Sequence, residues 1–185
     1  MIKKNNNQKG LTLVETLVSI LIFGFISVVL VNLFVVSIRS QARIIESQKI
    51  FEDASYAINY MSDKARMAIM DVSGDCVGAP NESYGIEDSN IRFLFYDSIS
   101  ESYTCREFYL EGDMIKERIS SDNTSANFNP GVPITSSTIG VNKLGFYADG
   151  QIDVKQPRVT ILMNMSKNTS KVSLQTTISK RELEI

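Results

Sequence analysis

The pattern of apolar and polar positions changes character once, near residue 39. Residues 11–38 read LTLVETLVSILIFGFISVVLVNLFVVSI, a run of 28 positions in which Glu15 is the one ionisable side chain. As a helix this run measures about 42 Å at about 1.5 Å per residue, more than the roughly 30 Å hydrocarbon core of a bilayer requires. It outlasts the apolar core of a secretory signal, about 7 to 15 residues, and no A-x-A-like cleavage site follows it. The run is therefore expected to stay with the mature chain as a membrane-spanning helix.

Past residue 39 the apolar positions thin into a stripe. Phe51, Ala54, Ile58, Met61, Ala65 and Ala68 recur at spacings of three and four, which predicts that residues 39 to about 70 continue the helix in amphipathic form. Strand-like segments follow in number, so the stripe is expected to pack on a globular head rather than to form a coiled-coil seam. Breakers in Val72-Ser73-Gly74-Asp75 and Gly78-Ala79-Pro80-Asn81 end the helix between about Asp71 and Gly78.

The period then shortens to that of strands. Ile91–Tyr96 is a β-prone run, and Tyr103–Leu110 with Met114–Ile119 flank Glu111-Gly112-Asp113 as a hairpin. Residues 120–132, SSDNTSANFNPGV, read as a loop. Strands are predicted again at Ile134–Ile139, Lys143–Tyr147, Val159–Met165 and Val172–Ile178, with turns at Ala148-Asp149-Gly150 and Lys167-Asn168. The fold class is α+β: a long N-terminal helix on an antiparallel sheet head, without internal repeats.

Charge sets the orientation. Lys3, Lys4 and Lys9 precede the span, whereas Arg39 and Arg43 follow it together with Glu46, Glu52 and Asp53. The positive-inside rule places the N-terminus in the cytoplasm and the head outside the cytoplasmic membrane. The formal charge is −2, from 19 basic and 21 acidic residues, which provides no basic excess for counterion release, so nucleic acid is not an expected partner. The chain has no histidine, which removes the commonest general base and metal ligand. An enzyme is the weakest reading, and no cofactor or metal is expected.

Glu15 is costly in an apolar span unless it reaches the interface or finds a partner. Its surroundings, Lys9-Gly10-Leu11-Thr12-Leu13-Val14-Glu15, resemble the prepilin signal of type IV pilins and type II secretion pseudopilins: a short basic leader ending in glycine, an apolar residue, and glutamate in fifth place after the cut. The resemblance implies that residues 1–10 are a leader removed by prepilin peptidase between Gly10 and Leu11, and that the new amino group of Leu11 is methylated. It implies that residues 11–38 anchor the subunit in membrane lipid and that Glu15 pairs with the N-terminal amine of a neighbouring subunit during assembly. Residues 39–185 then form the extracytoplasmic half-helix and head. The implied partners are other pilin or pseudopilin subunits and an inner-membrane assembly platform.

Two positions depart from the family pattern. Leu11 stands where phenylalanine is commoner, and Asn32 holds the place of the helix-interrupting proline of major pilins, which points to a minor subunit. Phe108-Tyr109-Leu110-Glu111-Gly112, Lys143-Leu144-Gly145-Phe146-Tyr147 and Gln156-Pro157-Arg158-Val159-Thr160 resemble segments of J-type minor pseudopilins and W-type minor pilins.

Other candidate sites read as structural. Cys76 and Cys105 are the two cysteines; they lack C-x-x-C spacing, and in an exported head they read as one disulfide, with free buried thiols as the alternative. Asp71, Asp75, Glu82, Glu87 and Asp88 show no EF-hand-like spacing for calcium and read as a solvated loop. Sequons at Asn81, Asn123, Asn164 and Asn168 read as loop and strand-edge composition. Phe93, Phe95, Phe108, Tyr109, Phe146 and Tyr147 read as core and cross-strand packing. The functional expectation is a minor filament subunit, against a singly anchored binding or sensor domain that is not processed at Gly10.

Overall fold

The computed structural model describes residues 12–151 and 156–180. Helix α1 runs from Leu13 to Arg66, and eight strands follow: β1 (Gly85–Glu87), β2 (Asn90–Asp97), β3 (Ser102–Glu111), β4 (Met114–Ile119), β5 (Val132–Pro133), β6 (Gly140–Asp149), β7 (Arg158–Lys167) and β8 (Ser170–Ser179). The chain divides into two units, one ending at Ile44 and one beginning at Ile45. With α1 followed by antiparallel sheets, this is an α+β, pilin-like architecture.

The first unit carries the apolar portion of α1. Among its described residues none is buried, although Leu17, Ile20, Phe23, Phe25 and Phe34 are all large and apolar. A helix apolar all round belongs in a low-dielectric medium rather than in water, and α1 is the one described helix long and apolar enough to cross a membrane. Ser19 and Ser27 hydroxyls donate to the carbonyls of Glu15 and Phe23 one turn back, each at 2.8 Å. Both polar groups are thus satisfied within the helix, which is what an apolar medium demands.

In the second unit the stripe on α1 packs as predicted, with one shift. Ile50, Ala54, Ala57, Ile58, Met61 and Ala65 are buried, and they form one core with strand residues such as Ile91, Phe93, Phe108, Phe146 and Ile161. Phe51, assigned to the stripe from its spacing, is instead 53% exposed, and Ile50 is fully buried in its place. Phe51 lies on the margin of the face centred on Ala54, whereas Ile50 lies a full turn from Ala54 and faces inward.

The helix also ends earlier than its pattern. Arg66 is its last residue, because Ile69 and Asp71 spend their backbone N–H groups on the carbonyls of Leu94 and Glu82, each at 2.8 Å. The Tyr84 hydroxyl then donates to the Ala65 carbonyl at 2.8 Å, satisfying one acceptor that a helix end leaves open.

The strands form two antiparallel sheets, β1-β2-β3-β4-β5 and β6-β7-β8. The predicted β3–β4 hairpin is present, turning at Gly112 with φ of 61°, a left-handed conformation that glycine adopts at little cost. Strand β6 meets β1, β2, β3 and β4, and the Val141 N–H donates to the Asp113 carbonyl at 2.9 Å. The turn of the β7–β8 hairpin lies against the start of the buried stripe, where Ser47 and Ser170 hydroxyls meet at 3.5 Å.

One expectation fails in the middle of the head. Ile134–Ile139 is not a strand; the ladder there is the short β5. Local side-chain hydrogen bonds hold the segment otherwise: the Ser136 N–H donates to Asp53 Oδ2 at 3.2 Å, and Ser136 and Thr138 hydroxyls lie 2.8 Å apart. Such serine and threonine contacts compete with strand pairing. Residues 120–132 are a loop, but a fastened one: the Cys105 N–H donates to the Asp122 carbonyl at 3.1 Å, and Phe128 lies beneath the Arg118 guanidinium, 4.5 Å from its ring centre.

Candidate assembly site

The site begins at the N-terminus of α1. The Glu15 N–H donates to the Thr12 carbonyl at 3.0 Å and to Thr12 Oγ1 at 3.3 Å, and the Thr16 N–H reaches the same carbonyl at 3.2 Å. Thr12 is thus the N-cap, its hydroxyl satisfying a donor that the first turn leaves open. Thr12-Leu13-Val14-Glu15 has the T-x-x-E spacing of a capping box, a signal available in the sequence that reading Glu15 by its offset from Gly10 alone passes over. Gly10 and Leu11 lie outside the described residues.

Glu15 is exposed, and among the described residues its carboxylate has no hydrogen-bond or ion-pair partner. Its charge lies in the first turn, where the helix dipole favours an anion by about 0.3–1 kcal/mol. The one carboxylate in the apolar portion of α1 therefore has a modest role within its own chain and leaves its acceptor oxygens for a cation from elsewhere.

In the second unit a disulfide lies beyond the end of the buried stripe. Cys76 and Cys105 are joined, with Cα atoms 5.6 Å apart, tying the loop after α1 to β3. Asp71, expected in a solvated acidic loop, is 2% exposed. Its carboxylate accepts from the N–H groups of Cys76 (2.8 Å), Val77 (3.1 Å) and Gly74 (3.0 Å) and from the Ser73 hydroxyl (3.0 Å). Burial alone raises its pKa, but these four donors outweigh burial and hold it below the usual carboxylate range. Its oxygens are committed to the fold, and no metal-holding cluster of acidic side chains occurs among the described residues.

The sheet buries further charge that the strand pattern did not reveal. Glu107 on β3 is 2% exposed and is paired with Arg118, with Arg92 3.9 Å away. On the opposite face Arg106 and Glu117 lie 3.1 Å apart, and the Tyr60 hydroxyl from α1 donates to Glu117 at 2.8 Å. Burial, followed by that bond to the Glu117 carboxylate, pushes the Tyr60 pKa up to about 12. Arg106 also stacks on Phe95 at 4.1 Å. Phe93 and Phe108 are core residues, as their strand positions predict, whereas Tyr147 is 59% exposed.

A helix with one carboxylate near the start of its apolar portion, long and apolar enough there to cross a membrane, followed by antiparallel sheets, is a pilin-like arrangement. Residues 5–31 match the family model described as the prokaryotic N-terminal methylation motif, the leader of type IV pilins. The match covers Gly10, Leu11 and Glu15, and it implies processing by prepilin peptidase and assembly with other pilins. The family that this motif marks is structural rather than enzymatic. No curated protein and no solved structure matches the chain.

Proposed function

We propose that the chain is a minor pilin or pseudopilin, cut after Gly10, methylated on Leu11, and assembled through its anchor into a type IV pilus or a type II secretion pseudopilus as a tip or initiation subunit. Residues 1–10 are then the leader, 11–38 the anchor in the cytoplasmic membrane, and 39–185 the extracytoplasmic half-helix and head, with the assembly platform and prepilin peptidase as partners. The observation that carries this reading is the methylation motif over the apolar portion of α1, whose one carboxylate has no partner among the described residues. The likeness of the head segments to J-type pseudopilins and W-type pilins, and the absence of proline at Asn32, favour a minor over a major subunit.

The chemistry is a register check. An N-terminal ammonium entering an apolar helix bundle is penalised unless a neighbour's Glu15 meets it, at roughly 3–5 kcal/mol for an uncompensated buried charge. At about 1.4 kcal/mol per tenfold this is at least about a hundredfold in docking. Glu15→Val should therefore leave membrane insertion and cleavage intact and deplete the subunit from sheared filaments. Equal incorporation of wild type and variant would overturn the assembly role. An unprocessed normal protein, with Met1 or Ile2 at its N-terminus, would instead support a singly anchored sensor.

A further inference from the structure

We infer that Asn32 is a second, independent contact point: a carboxamide that pairs two copies of this chain within the membrane before filament entry. This rests on reading the apolar portion of α1 as a membrane anchor.

Asn32 lies about 10 Å along the helix from Arg39 at about 1.5 Å per residue, inside the apolar run. Two hydroxyls earlier in the run, those of Ser19 and Ser27, are satisfied on their own helix. Asn32 differs. It is exposed, and its amide makes no hydrogen bond to any described residue. With two donors and an acceptor lacking partners in a medium without water, the side chain favours a second helix that offers both.

The partner that fits is another copy. A carboxamide is self-complementary, since the N–H of one Asn32 can donate to the carbonyl oxygen of the other, and the reverse. Two copies inserted with the same orientation bring Asn32 to the same depth with no further adjustment, as a two-fold axis along the membrane normal requires. Glu15 cannot substitute in such a pair, because it lies about 25 Å away along the helix.

The flanking positions suit the contact. Val28 and Val36 lie four residues to either side of Asn32, and Val29 and Val35 three to either side, so all four share its face. Valine is nearly fixed at χ1 in a helix, so little side-chain freedom is lost on packing. Arg39 also lies on this face, seven residues on, but at the end of the apolar run, where water and lipid phosphates screen its like charge.

The test expresses the full-length chain in a bacterial membrane without other filament subunits and introduces single cysteines for oxidative crosslinking. Val28→Cys and Val36→Cys, on the Asn32 face, should give a homodimer, while Leu30→Cys and Phe34→Cys, on the opposite face, should not. Asn32→Leu, which keeps the branched shape and adds hydrophobicity, should lower association about 3- to 30-fold, or about 0.6–2 kcal/mol, with Asn32→Gln retaining part of it. Equal yields with Asn32→Leu, equal yields from all four positions, or adducts only with a different protein would overturn the inference. Alkaline extraction separates the two readings: a chain released from the membrane refutes the anchor itself, whereas a retained chain indifferent to Asn32→Leu refutes only the pairing.

Discussion

Replacing Asp71 with alanine should destabilise the head more than most single substitutions on its surface or in its loops. The carboxylate holds four donors, and two of them, the N–H groups of Cys76 and Val77, belong to residues that are 0% and 5% exposed. Alanine leaves those two without acceptors in a site closed to water, at about 1–3 kcal/mol each, or about 2–6 kcal/mol together. Gly74 and Ser73 lie nearer solvent, where water replaces the lost bonds. Against a typical domain stability of about 5–15 kcal/mol this is a large fraction, equivalent to a Tm lower by about 5–20 °C in a head of this size. Asp71→Asn keeps one acceptor oxygen but turns an N–H₂ towards donors, so it should recover less than half.

The charge on Asp71 gives the experiment a second axis. Its folded pKa is depressed, so its contribution is fully present above the unfolded carboxylate value of about 3.9 and is lost as pH falls through the lower folded value. Wild type should lose stability in that acidic window more steeply than Asp71→Ala. Thermal unfolding of the purified full-length chain in detergent, followed by near-ultraviolet circular dichroism at neutral and acidic pH, reads both effects. A Tm within about 2 °C of wild type would mean that water already serves these donors, and the hub role of Asp71 would be refuted.

Replacing Cys76 and Cys105 together with serine releases a closed loop of 29 positions and should cost about 3–4 kcal/mol in the chain-entropy account, read as a lower denaturation midpoint without a change in helix content. Gly85→Ala should destabilise by about 1–3 kcal/mol, since a Cβ there would lie 2.2 Å from the Val77 carbonyl oxygen; an unchanged midpoint would show that the loop yields freely. Tyr60 and Tyr84, both with pKa raised to about 12, keep their protons when an unfolded tyrosine loses its own near pH 10, so stability should fall as pH rises between about 10 and 12. Phenolate absorbance should show two of the seven tyrosines ionising late, and Tyr84→Phe should remove one of them.

The apolar portion of α1 was legible because length and near-absence of charge mark it without reference to the rest of the fold. The buried helix face and the β3–β4 hairpin were legible because each repeats a short period: Ala54, Ile58, Met61 and Ala65 at helical spacing, and a glycine turn between alternating strands. What escaped was set by partners distant in sequence. Nothing near Glu107 foretells Arg118 and Arg92 closing over it, and Asp71 looked like a loop carboxylate until the backbone of Cys76 and Val77 turned towards it. Ile134–Ile139 has strand composition, yet Asp53, 83 residues away from Ser136, takes a backbone donor from it. Glu15 combines both situations. Its place in the first turn, three residues after the Thr12 cap, is local and readable, and at about 0.3–1 kcal/mol the dipole is too small to account for a carboxylate in an apolar run. An intermolecular ion pair at roughly 3–5 kcal/mol is large enough. Glu15→Gln tells the two apart by size, because glutamine keeps the length of the side chain and removes the charge: if the dipole is the whole of its role, filament incorporation falls by no more than about fivefold, and if a neighbour's ammonium is its partner, incorporation falls nearly as far as with valine.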